Sequence, residues 1–269
     1  MSLAPAQDDH SRPCLSLPRA LCAVAHSAGF ELDLKELCAA MGLSFTPLSV
    51  RGEPSTDKWR MYARDAFLIP AGRLFGMTIR EIHPPEAAIG IADLPEFKQH
   101  FDASYRPLIE RAMEHDQAVL AWQGWPGAWA LHWGVITDTC ADGIGFAGWV
   151  PGAHGLEPAD SALCSSEASP RRAIDTTALG ARTTEARRID VTLVRPPVQV
   201  YVVESIVLCK PDPQELRDMA IAHARIVLEN GLADRFDVAT GPGAYDDWID
   251  RLRTSNAKLP SYLLEIAEH

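Results

Sequence analysis

Residues 118–139 read Ala-Val-Leu-Ala-Trp-Gln-Gly-Trp-Pro-Gly-Ala-Trp-Ala-Leu-His-Trp-Gly-Val-Ile-Thr-Asp-Thr. Two runs rich in Val, Ile, Trp and small residues flank a Trp-Pro-Gly-Ala-Trp loop, and each run has the length and composition of a β-strand. The link between them is far too short for a crossover helix, so the strands pair antiparallel. A third strand is expected at 144–150, joined through Cys140-Ala-Asp-Gly143, a hairpin connection ending in Asp-Gly. A fourth is expected at 198–208. Ahead of this sheet, Phe97, Phe101, Tyr105, Leu108, Ile109 and Met113 keep helical spacing, which predicts one helix over 93–116 lying on the sheet.

Further out the pattern turns helical at both ends. Leu17, Leu21, Val24, Ala25 and Ala28 recur at steps of three and four up to Gly29, so a first helix ends there. Asp33 and Glu36 stand as a capping box for a second helix, with Leu34, Leu37, Cys38 and Met41 as its stripe and Gly42 as its stop. A helix is expected at 59–68 and a strand at 74–82. At the other end, Pro213 opens a helix over 213–228 and a last helix is expected over 244–252. Residues 1–12 read as a flexible arm. The segment 151–197, rich in Ala, Ser, Arg and Pro, reads as an insertion with one short strand at 188–194. The order of elements predicts a single α+β domain over 13–269, with N-terminal helices packed on an antiparallel sheet and further helices at the C-terminus.

Charge narrows the partners. Thirty-six acidic against 25 basic residues leave a net charge of −11, which repels phosphate backbones and anionic lipid surfaces, so neither nucleic acid nor membrane is expected as a partner. No run of about 18 apolar residues is present, and the opening Met-Ser-Leu-Ala-Pro-Ala-Gln-Asp-Asp-His lacks the basic start and long apolar core of a signal peptide. A cytoplasmic location is the expectation. The six cysteines are spread too thinly for a disulfide framework, and no Cys-x-x-Cys, His-x-x-x-His or His-Glu-x-x-His occurs, so no metal and no cofactor are expected.

The residues that can carry chemistry are Cys14 and His132. A thiol at the start of a helix meets free N–H groups and the positive end of the dipole, and an imidazole from a facing strand can take its proton. Pro18 excludes a regular helix from running back through Cys14, so the helix is expected to begin nearer Ser16. Cys22 and Cys38 fall on helix stripes and read as buried apolar groups. Trp125, Trp129, Trp133 and Trp149 crowd the same stretch as His132 and are candidates for lining a substrate cleft, the 125–129 loop being read as exposed.

The segment Cys14-Leu-Ser-Leu-Pro-Arg-Ala-Leu-Cys-Ala-Val-Ala-His-Ser-Ala-Gly resembles the cysteine-bearing first helix of papain-like proteins of the C39 peptidase type. Leu131-His-Trp-Gly-Val-Ile-Thr-Asp resembles their histidine strand. The stretch Glu36-Leu-Cys-Ala-Ala-Met-Gly-Leu-Ser-Phe and Gly243-Ala-Tyr-Asp-Asp-Trp-Ile-Asp-Arg-Leu are similar to segments of proteins related to the N-terminal domain of the butirosin acyltransferase. The resemblance implies a papain-like fold and a cysteine-dependent amide hydrolase or acyltransferase acting on a small-molecule or peptide substrate. Cys14 would be the nucleophile, His132 the acid and base, and Gln7 the oxyanion donor. The same fold without a working thiol would be a catalytically inactive domain that binds a small molecule or a partner protein. The carboxylate that orients the histidine in such peptidases is replaced here by Ala147-Gly148-Trp149. Asp138, six residues along the strand from His132, stands roughly 20 Å away.

Overall fold

A computed structural model describes residues 16–42, 48–50, 67–83, 94–130, 132–140, 145–151, 188–207, 209–230 and 238–240, with isolated positions between 243 and 253. Six strands form one antiparallel sheet in the order β2-β7-β3-β4-β5-β6. These are β2 (Met77–His83), β3 (Ala118–Trp122), β4 (Trp133–Thr139), β5 (Phe146–Pro151), β6 (Arg188–Thr192) and β7 (Gln199–Ile206). The three central strands β7, β3 and β4 are buried along most of their length because Val, Leu, Ala, Trp and Tyr fill both of their faces. Two three-residue strands, β1 (Leu48–Val50) and β8 (Val238–Thr240), make a separate antiparallel pair. Elements this short leave no periodicity to read, and the sequence gives no sign of them.

The helices follow from local chemistry. Helix α1 (Ser16–Ser27) buries Leu17, Leu21, Val24 and Ala25 of the stripe expected from spacing, whereas Ala28 falls just past its end and is exposed. Helix α2 (Leu34–Ala40) is capped by the Asp33 carboxylate, which accepts from the N–H groups of Lys35 at 2.7 Å and Glu36 at 3.3 Å. Helix α3 (Leu68–Leu74) leads directly into β2, so the strand begins three residues later than expected. Residues 59–66 of the expected helix lie outside the described residues. The helix expected over 93–116 is in fact two, α4 (Pro95–Ser104) and α5 (Arg106–Glu114), meeting at Tyr105. Pro107 is the cause: its ring excludes the carbonyl four residues back and it has no N–H to give, so a continuous helix stops and a new one starts around it. Helix α6 (Pro213–Asn230) is opened by Asp212, whose carboxylate accepts from Gln214 N–H at 2.7 Å. Residues 1–15, 141–144, 152–187 and most of 244–252 lie outside the described residues, and with them the arm, the Asp-Gly turn and the expected last helix. Strand β6 takes up the short strand expected within 151–197 and pairs with β5.

Register shows which side each helix covers. Val135 pairs with Trp149, and Leu120 with both Val135 and Tyr201, so these side chains share one face, whereas Phe146, three residues from Trp149, points to the other. The Arg188 guanidinium lies 4.7 Å over Trp149 and donates to Ser27 Oγ at the end of α1, while Arg106 of α5 lies 4.8 Å over Phe146. Helices α1 and α5 therefore cover opposite faces. Among the described residues no helix is long and apolar enough to cross a membrane.

Candidate active site

His132 immediately precedes β4 and is fixed by its own backbone. Its N–H donates to Trp129 C=O at 2.9 Å, and its C=O accepts from Gln123 N–H at 3.2 Å. To close that loop the chain turns through two successive left-handed residues, Gln123 at φ 66° and Gly124 at φ 84°. The second is natural to glycine; the first is uncommon for a side-chain-bearing residue and marks a locally imposed conformation. The loop also brings the edge of the Trp129 ring to 4.8 Å from the imidazole, at an interplanar angle of 81°. On the far side of the loop, the Trp125 ring lies against Gly134, where a Cβ would stand 2.6 Å from the ring. Its indole N–H donates to Ala121 C=O at 3.3 Å.

One hydrogen bond ties α1 to this strand. Ser16 Oγ, in the first residue of α1, accepts from the backbone N–H of Trp133, the residue after His132, at 3.1 Å. Both groups are buried, and the contact links residues 117 apart in sequence. The N-terminus of the helix and the start of the histidine strand are thereby held together.

His132 is 1 % exposed, and its Nδ1 is buried with no hydrogen-bond partner among the described residues. Burial pushes its pKa down to about 3, because the imidazolium loses its hydration and no described carboxylate replaces it. The ring is therefore neutral across the physiological range. Asp138 does not serve it: that side chain is exposed and accepts from Thr139 N–H at 2.8 Å. The neighbouring Trp133 Nε1–H is likewise buried without a partner among the described residues. Trp133 stacks on Trp122 at 6.4 Å and 22° and approaches Tyr201 at 5.9 Å.

Cys14 and Gln7 lie outside the described residues. Trp125, Trp129, Trp133 and Trp149 are buried at 1, 7, 0 and 6 % exposure. The loop expected to be exposed is therefore packed in at both of its tryptophans, because Gly134 leaves room for one ring and the other packs nearly at right angles to the imidazole. Cys22 and Cys38 are pushed up to about 12, chiefly by burial, which leaves both thiols protonated and inert. Among the described residues no group of His, Cys, Asp and Glu is disposed to hold a metal ion. Spacing alone did not reveal Ser16 as the anchor of the histidine strand or Gln123 as the strained support of His132. A serine opening a helix and a Gln-Gly pair between two strands were the available signals.

Comparison of the chain with protein-family models, with curated proteins and with solved structures finds no match.

Proposed function

We propose that this chain is a papain-like cysteine enzyme that cleaves or transfers an acyl group through a thioester on Cys14, with His132 as the base that takes the thiol proton. The observation that carries the reading is the buried Nδ1 of His132, which has no partner among the described residues, beside the bond that fastens α1 to the same strand. A buried polar nitrogen without a partner costs about 1–3 kcal/mol, a cost that native sites retain where the group has work to do. Cys14 stands two residues before Ser16 in the sequence, a span of at most about 7 Å between α-carbons.

The neutral ring sets the order of events. With no described carboxylate to hold an imidazolium, His132 rests neutral, and in this reading the thiol proton moves to it as sulfur attacks the carbonyl carbon. The tetrahedral intermediate then collapses to the thioester as the imidazolium protonates the leaving amine or thiol. Water or an acceptor amine completes the turnover, with His132 again as base. A second reading, a papain-like domain that binds without catalysis, is favoured by two observations: no described carboxylate stands behind His132, and burial holds its pKa near 3, well below that of an efficient base at neutral pH.

Treatment of the full chain with p-nitrophenyl acetate, followed by peptide mass spectrometry, separates the two. The enzyme reading expects one acetyl group on the peptide carrying Cys14, formed well ahead of any on Cys209, an exposed thiol that serves as the internal standard. Acetylation of Cys14 no faster than Cys209 supports the silent domain.

A further inference from the structure

A groove of about 480 Å³ runs along α6 beside Ala39 of α2. Two rows of side chains at four-residue steps line it, Leu216, Ala220 and Ala224 in one and Arg217, Ile221 and Arg225 in the other. Ile221 is 44 % exposed, while buried His223 of the same helix bonds to the carbonyl of Ala40 and fixes the two walls together. The arginines stand eight residues apart, about 12 Å along the axis, with Ile221 midway between them. Among the described residues neither guanidinium makes a hydrogen bond or an ion pair. Two uncompensated cations on an apolar groove, in a chain whose net charge is −11, suit an occupant that is apolar on one face and acidic beside it. A stretch of that kind follows in the sequence: residues 260–269 read Pro-Ser-Tyr-Leu-Leu-Glu-Ile-Ala-Glu-His and lie outside the described residues. Pro260 suits the first turn of a helix, and helical spacing then puts Tyr262, Leu263 and Ile266 on one face with Glu265 and Glu268 beside it.

We propose that residues 260–269 dock as an amphipathic helix in the groove of α6, with Leu263 and Ile266 over Ala220, Ile221 and Ala224 and the two glutamates between Arg217 and Arg225. The glutamates are three residues apart, about 4.5 Å along a helix, which leaves about 4 Å on either side to an arginine, the separation of an ion pair. The small side chains of Ala220 and Ala224 let a second helix come close to the α6 backbone. Tyr262 stands nine residues beyond Arg253, the last described position, and that length of chain reaches up to about 30 Å. A second copy of α6 fits the groove poorly: two such helices crossing antiparallel at Ile221 set Arg217 of each against Arg225 of the other. The docking is independent of the chemistry assigned to Cys14.

The experiment places a thiol in the groove, Ile221→Cys in the full chain, and reads its iodoacetamide labelling by peptide mass spectrometry against exposed Cys209. Docking is expected to hold that thiol at least tenfold below the Cys209 rate, which corresponds to a groove covered about nine-tenths of the time. Leu263→Asp with Ile266→Asp in the same chain is expected to restore the Cys209 rate, and Glu265→Lys with Glu268→Lys to raise labelling at least fivefold. A peptide of residues 258–269, added to the chain carrying the two aspartate substitutions, is expected to bring protection back; the same peptide carrying Glu265→Lys and Glu268→Lys is not. Ala224→Cys repeats the measurement at a second point of the groove, so the result does not hang on one variant. The proposal is overturned by labelling at both positions that the substitutions at 263 and 266 leave unchanged, or by protection that is lost on dilution, the mark of a second copy.

Discussion

Two histidines of this protein are nearly equal in burial and differ in one bond. His132 at the start of β4 is 1 % exposed and His223 in α6 is 5 % exposed. Each meets the edge of an aromatic ring, Trp129 at 4.8 Å and Phe67 at 5.0 Å. His223 Nδ1, however, bonds to the carbonyl of Ala40 at 2.5 Å and so fastens α6 to the end of α2, whereas His132 Nδ1 has no partner among the described residues. The first histidine is accounted for by the fold it holds together. The second is held in place by its backbone, and the lack of a partner for its Nδ1 among the described residues is the observation on which its proposed role as a base rests.

The contrast breaks most visibly on deletion. His223→Ala removes a packed side chain and strands the Ala40 carbonyl, and is expected to lower stability by about 3 kcal/mol in a guanidinium melt at pH 7. His132→Leu removes a buried polar atom that has no partner among the described residues and is expected to leave stability unchanged or raise it by up to about 1 kcal/mol under the same conditions. Equal losses at the two sites would erase the distinction.

Acid sharpens it next. Above pH 6.5 the His132 ring is neutral in the folded and the unfolded chain alike; below it the unfolded chain takes a proton that the folded chain refuses until about pH 3. Stability contributed at this position therefore falls by about 1.4 kcal/mol per pH unit from 6.5 down to about 3 and levels off beneath. Between pH 7 and pH 5 the wild type should lose about 2 kcal/mol that His132→Leu does not lose, as read from paired melts. Parallel losses in the two proteins would show that the ring is not held neutral.

The smallest expected effect concerns the tie between helix and strand. Ser16→Ala leaves the buried Trp133 N–H without its acceptor and should lower stability by about 1 kcal/mol. It should also slow acylation of Cys14 by loosening the end of α1. A variant that keeps the wild-type acylation rate would separate the anchor from the chemistry.

How much of this was legible in the sequence varies by element. The antiparallel strands announced themselves because runs such as Val119 to Trp122 and Val200 to Val203 have no polar interruption, and Asp33 marked the start of α2 by chemistry that needs no tertiary context. Pro107 was in plain view, yet the apolar spacing across it was continuous, and the break at Tyr105 shows the missing N–H outweighing the pattern. The pair β1 and β8 depends on contact between strands far apart in the chain and leaves no local trace. At the site, His132 stood out by its neighbours, but its neutrality follows from desolvation by packed rings, and the left-handed turn at Gln123 follows from closing the loop. Both are properties of packing, which residue order does not display.

The central claim is that His132 takes the proton of Cys14, and the rate at which p-nitrophenyl acetate acetylates Cys14 in the wild type and in His132→Gln, each normalised to Cys209, tests it directly. A general base contributes about 10²- to 10⁴-fold, so the variant is expected to lose at least a hundredfold at Cys14 with Cys209 unchanged. A variant that acetylates Cys14 at the wild-type rate would contradict the account.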